Sequence, residues 1–395
     1  MKVKIYNREQ HKGYNESCEM LKILHKDSDI VNIEVYPDIA FKSLGFPNGT
    51  LLQSKKHIYP FAVPDPGCGY RIILTNLLLK DVQHLKKQLL YDLLDTQGRY
   101  ELFRQKEFSK IDFEQVINKG VYYFKNIDYI LDLPQPINML KIDLSDCDKY
   151  ELFDFFGIPG SPFLEFRYSD RDIKVNELEI RKGQIFIIIH LGTIVGKKLL
   201  NRKFLENAIN NTLNENIYSF EEIQKYFMYI DVESEIGEQY LDFINFMIHF
   251  AYCSREISTS ILKNCLEDIL NFKVEFKILS DLTHSSIKVR GGLISHARGL
   301  QYISNIEKPI LIGGNTNSKS ILAYPINNNS FISHGTGIYY SKDSSNDEMI
   351  TFTNREYECD IKKECEDVEM SLQGIKNDFR TICELEPFLN FWNEK

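Results

Sequence analysis

The amino-acid sequence predicts an α+β fold, and three observations support that prediction. Short runs with the composition of strands recur between residues 31 and 190. Residues 197–270 are mostly helical in pattern. The 395-residue chain shows no repeat, no low-complexity tract and no linker rich in proline, glycine or serine. We therefore expect a single domain over residues 1–395, with the helical segment as an insertion between strand-rich parts.

Local patterns predict the individual elements in order. Apolar runs with strand character predict strands at 31–37, 49–54, 70–77, 163–168 and 184–190. Helical spacing predicts helices at 17–27 and 81–94, and the second begins with Asp81, a residue suited to capping. Within the insertion, the apolar face is most regular between residues 238 and 270. Short strands and glycine-rich loops follow it.

Composition and charge limit the class of protein. The chain is 43% hydrophobic and 26% charged, and its formal net charge of -9 argues against a uniformly basic, nucleic-acid-coating surface. MKVKIYNREQ at the N-terminus has no apolar core of a secretion signal, and the apolar run at 185–189 is too short to cross a bilayer. Eight cysteines show no CxxC spacing. We expect a cytoplasmic protein with reduced thiols and no membrane contact.

The segment VPDPGCGY, residues 63–70, places a carboxylate and a thiol in a turn with little conformational freedom. Pro66 fixes one backbone dihedral, and the glycines on either side of the cysteine permit conformations that other residues avoid. Such a turn can direct Asp65 and Cys68 at one point. A carboxylate and a thiolate directed at one point are a possible metal site.

Three histidines lie where predicted strands meet loops. His190 ends an apolar strand, His284 follows FKILSDLT, and His334 lies in SHGTG. Functional residues concentrate at such junctions, although each histidine alone is also compatible with a structural role. Thiolate, imidazole and carboxylate ligands together suit zinc, or manganese if oxygen ligands complete the shell.

The order of these segments resembles that of the RtcB-type RNA ligases. PDIAFKSLGFPNGTLL…YPFAVPDPGCGYRIIL resembles PDVHxGxG…PxAVGxDIGCGMxxL, and FFGIPGSPFLEF resembles LGTLGxGNHFLEV. IIIHLGTIVG is similar to MxHSGSRGxG, INFMIHFAYCSREI to a helix containing NYAxxNR, and SDLTHSSI to DVxHNxA. SHARG, LIGGNTNSKS and FISHGTG are similar to HRKGA, IPGSMG and SxxHGAGR. The resemblance covers residues 35–395 and implies mixed sheets around a central metal and nucleotide cleft.

The resemblance also implies a chemistry. In that family a thiolate bridges two manganese ions, GTP guanylylates a histidine, and the guanylyl group passes to an RNA 3′-phosphate that a 5′-hydroxyl then attacks. The chain would be an RNA ligase of RNA repair or tRNA splicing that joins 3′-phosphate or 2′,3′-cyclic phosphate ends to 5′-hydroxyl ends. It would use Mn²⁺ (Zn²⁺ is also possible) and GTP. The implied metal ligands are Asp65, Cys68, His190 and His284. The implied guanylylated residue is His334, and the implied nucleotide contacts are Phe163, Glu165, Gly314, Asn315, His334 and Gly335.

Several family residues are replaced in this chain. The metal-ligating histidine of GNHF falls on Pro162, and two phosphate-clamping arginines fall on Ile194 and Ile338. Other replacements are Ala40, Ser285, Ile375 and Trp392. Two alternatives therefore stay open: a degenerate homologue that binds RNA ends or nucleotide without ligation, and a one-metal phosphatase or phosphodiesterase acting on RNA ends.

The replacements also carry expectations about metal and RNA. Because proline offers no ligand, we expect one well-occupied ion at Cys68, His190 and His284, with the site at Asp65 filled only alongside nucleotide. We expect RNA contact in a local groove and a monomer or small homo-oligomer. The candidate cations for this groove are Arg290, Arg298, Lys197 and Lys198. The two lysines are also compatible with exposed positions at the beginning of a helix, without a role in RNA binding.

Overall fold

The structure is a computed structural model, and it describes residues 2–5, 14–40, 45–94, 99–138, 152–154, 164–193, 202–314, 318–335, 372 and 375–391. The α-helices in these ranges are α1 (Tyr14–Ile23), α2 (Leu79–Val82), α3 (Lys86–Leu94), α4 (Arg99–Phe108), α5 (Phe113–Lys119), α6 (Arg202–Glu215), α7 (Phe220–Gln224) and α8 (Glu235–Leu270). The first strands are β1 (Lys2–Ile5), β2 (Ile30–Ala40), β3 (Asn48–Ser54), β4 (His57–Ile58), β5 (Gly69–Leu78), β6 (Leu164–Ser169), β7 (Ile173–Val175), β8 (Leu178–Ile180) and β9 (Gln184–Leu191). The later strands are β10 (Ile230–Asp231), β11 (Phe276–Thr283), β12 (Ser285–Arg290), β13 (Leu293–Arg298), β14 (Leu300–Ile303), β15 (Ile310–Ile312), β16 (Ser320–Pro325), β17 (Ser330–Ser333) and β18 (Phe379–Phe391).

Two larger sheets organise the strands. The first has seven strands in the order β11-β5-β9-β6-β18-β16-β15, and every neighbouring pair is antiparallel. The second has the order β1-β2-β3-β13-β12, in which β1 and β2 are parallel and the other pairs antiparallel. Helices and sheets in this arrangement confirm the α+β class. The predicted mixture of strand directions holds for the second sheet.

Strand β9 shows how the seven-stranded sheet builds its core. All eight of its residues, QIFIIIHL, are buried. Ile185, Ile187 and Ile189 pack in a core that includes the apolar residues of α8, whereas Phe186 and Ile188 pack in a separate core with residues of β5. This alternation is the period of two that places successive side chains on opposite faces of a sheet. A strand buried on both faces reads as a continuous apolar run, as this one does.

The helix α8 is the longest element of the described chain. The Ser234 side chain accepts a hydrogen bond from the N–H of Gly237 at 3.0 Å, and Asn271 ends the helix in the left-handed conformation with φ of 54°. Both are the residue types that stabilise helix ends. The predicted helical insertion therefore consists of α6, α7 and α8 with the short strand β10 between them.

Most element boundaries lie within a few residues of the prediction, but the helix expected at 81–94 is wrong in detail. It is interrupted by a 3₁₀ turn at Gln83–Leu85, with α2 before it and α3 after it. The Asp81 carboxylate does accept a capping hydrogen bond, from the N–H of Leu78 at 2.8 Å, but from inside the first turn. Over the part of the chain that the structure describes, we find no helix long and apolar enough to span a lipid bilayer.

Candidate metal and histidine centre

The turn before β5 holds Cys68 against two other segments. The Cys68 carbonyl accepts a hydrogen bond from the N–H of His284, and the N–H of Gly67 donates to the Ser285 carbonyl, both at 2.8 Å. Gly67 has φ of 88°, and a β-carbon there would lie 2.7 Å from the β-carbon of Ala251 on α8. Only glycine combines this dihedral with so close an approach. The constrained turn therefore fixes the cysteine between α8 and the β11–β12 junction.

Three of the four predicted metal ligands meet at one place. The Cys68 sulfur and one ring nitrogen each of His190 and His284 all lie within 4.8 Å of one another, and all three residues are buried. The Cys68 Sγ is 3.0 Å from His190 Nε2, which is 2.9 Å from His284 Nε2. A thiolate and two imidazoles are three of the four donors of a tetrahedral transition-metal site. The donor set thus fits a zinc-like or manganese ion.

Burial sets the protonation of these ligands in the absence of an ion. It raises the pKa of the Cys68 thiol well above its usual range, and the nearby Asp65 carboxylate raises it further. Burial also lowers the pKa of His284, with further lowering from His334 and His190. The imidazole of His284 is therefore neutral, the form in which it can bind a metal ion.

Asp65, the fourth predicted ligand, lies outside this group of three. Its Oδ1 is shielded from solvent and has no hydrogen-bond partner among the residues that the structure describes. The Nε of Arg298 is 3.9 Å from that oxygen. The Arg298 side chain is buried and donates a hydrogen bond to the Phe46 carbonyl. Arg298, one of the cations predicted for the RNA groove, therefore has its guanidinium beside the Asp65 carboxylate.

His334 lies next to the ligands and is held by a carboxylate. Its Nδ1 lies 2.9 Å from Asp38 Oδ2, at hydrogen-bonding distance, and Asp38, on β2, is completely buried. The His334 N–H donates to the Gly299 carbonyl at 3.0 Å. The ring centroids of His334 and His284 are 4.2 Å apart. A carboxylate that accepts a hydrogen bond from Nδ1 would place the proton of a neutral imidazole on that nitrogen, and the lone pair would then be on Nε2.

Tyr70 forms one wall of the centre. Its ring centroid is 4.5 Å from that of His190, 5.3 Å from that of His284 and 5.8 Å from that of His334. Its hydroxyl packs against Gly313, where a β-carbon would lie 3.1 Å from the phenolic oxygen. The RtcB pattern has methionine at this position, so the aromatic wall is a feature of this chain.

The predicted nucleotide contacts are only partly described. Glu165, on β6, is buried, and its Oε2 accepts a hydrogen bond from Arg167 Nε at 2.6 Å. Gly314 donates from its N–H to Ser320 Oγ at 2.9 Å, and Gly335 pairs with Gly313 in an isolated bridge. Outside the described residues lie Phe163, Asn315, Pro162, Ile194, Ile338, Trp392, Lys197 and Lys198.

A second group of potential ligands has a structural explanation. Asp27, Asp29 and His57 have ligand atoms within 4.8 Å of one another. The Asp29 carboxylate, however, accepts hydrogen bonds from the N–H groups of three successive residues, 55 to 57. The Asp27 Oδ2 accepts from His57 Nδ1 at 2.6 Å and from the Tyr59 hydroxyl. Oxygens already used in this way are poor candidates for metal ligation.

The sequence alone did not indicate a role for Asp38, which lies in the segment PDIAFKSLGFPNGTLL. The resemblance directed attention to the replaced histidine position, Ala40, two residues further along β2. The available signal was a carboxylate among apolar and aromatic residues in the segment VYPDIA. Its partner is 296 residues away in the chain, and no local pattern reveals such a pair.

Comparisons with known proteins identify the family of this chain. A sequence profile of the family described as tRNA-splicing ligase RtcB matches residues 25–374. RNA-splicing ligase RtcB homolog 1 of Entamoeba dispar is 22% identical over 253 residues, which cover 57% of this chain and 44% of that protein. tRNA-splicing ligase RtcB of Methanococcus maripaludis is 22% identical over 307 residues, which cover 66% of this chain and 61% of that protein. The matched regions therefore span less than two thirds of either relative. Because the family profile matches most of the chain, the protein belongs to the RtcB family.

Proposed function

We propose that this protein is a GTP-dependent RNA ligase that joins RNA 3′-phosphate or 2′,3′-cyclic phosphate ends to 5′-hydroxyl ends. The observation that carries the proposal is the pairing of His334 with the buried Asp38 beside the Cys68, His190 and His284 group. A nucleophilic histidine needs an unprotonated nitrogen, and a hydrogen bond from Nδ1 to Asp38 would leave Nε2 for that role. The chemistry named here is that of the family's ligases, and family membership supports it.

In the first step, the Nε2 lone pair of His334 attacks the α-phosphorus of GTP. The bond from that phosphorus to the bridging oxygen breaks, and pyrophosphate leaves. Asp38 stabilises the positive charge that develops on the imidazole, because Nδ1–H already donates to its carboxylate. A 2′,3′-cyclic phosphate end is first opened by water to a 3′-phosphate. The guanylyl group then passes from His334 to an oxygen of the 3′-phosphate, and attack by a 5′-hydroxyl on the RNA phosphorus forms the phosphodiester and releases GMP. Splitting one hard displacement into two is the advantage of a covalent intermediate.

Cys68, His190 and His284 would hold a divalent ion, manganese or zinc. Bound there, the ion would offset phosphate charge and favour in-line geometry. The chain's own contribution is to hold the three donors together in a buried place and to keep His284 neutral.

The setting of Asp65 supports a one-ion centre. A second ion would have to bind within a few ångströms of the buried Arg298 guanidinium, whose Nε is 3.9 Å from Asp65 Oδ1. Two unit charges of like sign about 4 Å apart repel by about 4 kcal/mol at an effective dielectric constant near 20, and the double charge of a divalent ion makes this about twice as large. We therefore propose that an ion binds at the Asp65 carboxylate only when phosphates of GTP or RNA are also present.

The direct test is a covalent adduct. Incubating the purified chain with α-labelled GTP and Mn²⁺ should label the protein, and His334→Ala should abolish the label. His84→Ala, which removes an exposed histidine, is the matched control and should label normally. Absence of an adduct with Mn²⁺, Zn²⁺ and Co²⁺ alike would overturn the guanylylation step.

One observation favours the alternative of a degenerate homologue that binds without ligating. Glu165, the expected acceptor for the guanine edge, already accepts from Arg167, which itself donates to the Ser318 carbonyl at 2.7 Å. An assay with end-labelled RNA separates the functions. A longer product indicates ligation, loss of the terminal phosphate indicates a phosphatase or phosphodiesterase, and a gel shift alone indicates a binding protein.

A further inference from the structure

Arg255 contacts the backbone on both sides of the centre. It lies on α8 and is completely buried. Its Nη1 donates to the Gly67 carbonyl at 3.1 Å and to the Leu191 carbonyl at 2.6 Å. Gly67 immediately precedes Cys68, and Leu191 immediately follows His190. One guanidinium nitrogen therefore ties together the two segments that carry these ligands.

The same side chain is tied to the segment that carries the third ligand. Arg255 Nε donates to Asp281 Oδ1 at 2.7 Å, and Asp281 is a buried residue of β11, three residues before His284. Ala251, four residues before Arg255 and thus on the same side of α8, is the residue against which Gly67 packs. The Cys68 turn therefore packs on this side of α8 through an apolar contact and is also hydrogen-bonded to it.

We propose that Arg255 is a positioning residue that sets the spacing of Cys68, His190 and His284 and thereby the affinity of the centre for a divalent transition metal. The inference rests on the metal centre of the proposed function. The planar guanidinium supplies donors in fixed directions to three acceptors on different segments, which a lysine ammonium on a flexible stem cannot reproduce. Mutation of residues that orient metal ligands without binding the ion typically lowers metal affinity about 10- to 100-fold. We expect an effect of this size here.

The second buried arginine of this region provides a matched control. Arg71 is also completely buried and donates through Nε to the other Asp281 oxygen, Oδ2, at 2.8 Å. Its remaining described contacts are side chains: Glu256, Thr259 and Tyr129. Loss of either arginine leaves Asp281 with one partner fewer, so both losses should destabilise the fold. Only Arg255 also holds the carbonyls beside the ligands.

The experiment measures Co²⁺ binding to the full chain, because a cobalt–thiolate bond gives a charge-transfer absorption that reports Cys68 directly. Arg255→Lys and Arg255→Met should weaken Co²⁺ binding by about 10-fold or more and change the ligand-field spectrum. Arg71→Met should lower the metal-free melting temperature comparably but keep Co²⁺ affinity within about twofold. If Arg255→Met does not fold, the comparison of Arg255→Lys with wild type decides the matter.

Two results would overturn the inference and are distinguishable. If wild type shows the thiolate band and Arg255→Lys binds Co²⁺ equally well with an unchanged spectrum, the positioning role fails while the metal centre stands. If wild type itself shows no thiolate band, the proposed metal centre fails, and the role of Arg255 fails with it.

Discussion

At the scale of single residues, the contact between Asp38 and His334 Nδ1 leads to a prediction about the proposed nucleophile. Asp38→Asn keeps the shape of the side chain but replaces an acceptor with a group that can donate to Nδ1, which would move the imidazole proton to Nε2. We expect the rate of adduct formation from GTP to fall on the order of 100-fold or more, as when the orienting carboxylate of a catalytic triad is replaced. Single-turnover labelling measures this rate.

Asp27→Asn is the control for that prediction. Asp27 is also a buried carboxylate that accepts from a histidine Nδ1, that of His57, but it lies outside the centre. It should leave the labelling rate unchanged once both proteins are shown to be folded. Equal rates for wild type and Asp38→Asn would mean that Asp38 does not set the tautomer.

Arg298 carries the prediction about metal count. Native mass spectrometry with Mn²⁺ or Zn²⁺ should find one ion per wild-type chain without nucleotide, and Cys68→Ala should lose it. Arg298→Met removes the positive charge beside Asp65 Oδ1. A second metal ion should then bind, because no guanidinium repels it and the Asp65 carboxylate has lost its neighbouring cation. Two tightly held ions in the wild type, or no second ion in the Arg298 variant even with GTP, would contradict this account.

At the scale of elements, a pair of titratable residues connects β4 to the segment after α1: His57 on β4 and Asp27. His57 stacks on Tyr229 with ring centroids 3.7 Å apart, and its Nδ1 contacts Asp27 Oδ2 at 2.6 Å. Burial is the largest single influence and opposes both charges. The mutual hydrogen bond outweighs it only together with other contacts, which include hydrogen bonds from Tyr59 and the Asp29 N–H to Asp27 and the attraction of Asp27 and Asp29 for His57. The pKa of His57 is therefore raised above its ordinary 6.5, and the pKa of Asp27 is lowered below its ordinary 3.8.

The direction of the two shifts fixes the pH window. A raised histidine pKa contributes stability that is complete below pH 6.5 and is lost as pH rises through the folded-state pKa. A lowered aspartate pKa contributes stability that is present above pH 3.8 and is lost as pH falls through the folded-state pKa. The pair therefore contributes most between these two values.

His57→Phe tests this window, because it keeps a ring on Tyr229 and removes the hydrogen bond to Asp27. The free energy of unfolding in urea should fall by about 1–3 kcal/mol at pH 6, the usual cost of leaving a buried polar group without its partner. The difference from wild type should shrink at pH 8.5. Stability curves that run parallel from pH 6 to pH 8.5 would show that the pair does not titrate in this range.

The sequence predicted some elements well and others not at all, for physical reasons. β9 and α8 were found because burial on both faces, or on one wide face, leaves a strong pattern in IFIII and in residues 238–270. Helices α4 and α5 were missed because each has one fully buried apolar residue, Tyr100 in α4 and Val116 in α5, and their other core contacts are only partly buried. A helix with so narrow a buried face carries little apolar periodicity.

At the scale of the whole molecule, the α+β class and the family could be predicted because ordered motifs persist over most of the chain. The centre could be predicted in part. The resemblance assigns roles to Cys68, His190, His284 and His334. Asp38 and Arg255 also lie in matched motifs, PDIA and INFMIHFAYCSREI, but their partners are distant in the chain and sequence spacing does not encode those contacts. That the chain forms one domain with a central cleft stays a prediction.

The net charge leads to the last prediction, which concerns RNA. The chain carries a formal charge of -9, and the two described candidates for the RNA groove both face acidic groups: Arg298 lies beside Asp65, and Arg290 donates to Asp132 at 3.0 Å. Few phosphates can then be neutralised. For about one to three phosphate contacts with single-stranded RNA, log K should fall with log salt at a slope of about -0.7 to -2. Fluorescence anisotropy with a labelled 3′-phosphate RNA measures the slope, and Arg290→Gln should make it shallower by about 0.7 if Arg290 contacts one phosphate. A slope of zero would exclude a groove that binds phosphates, and a slope several-fold steeper would require cations beyond these two arginines.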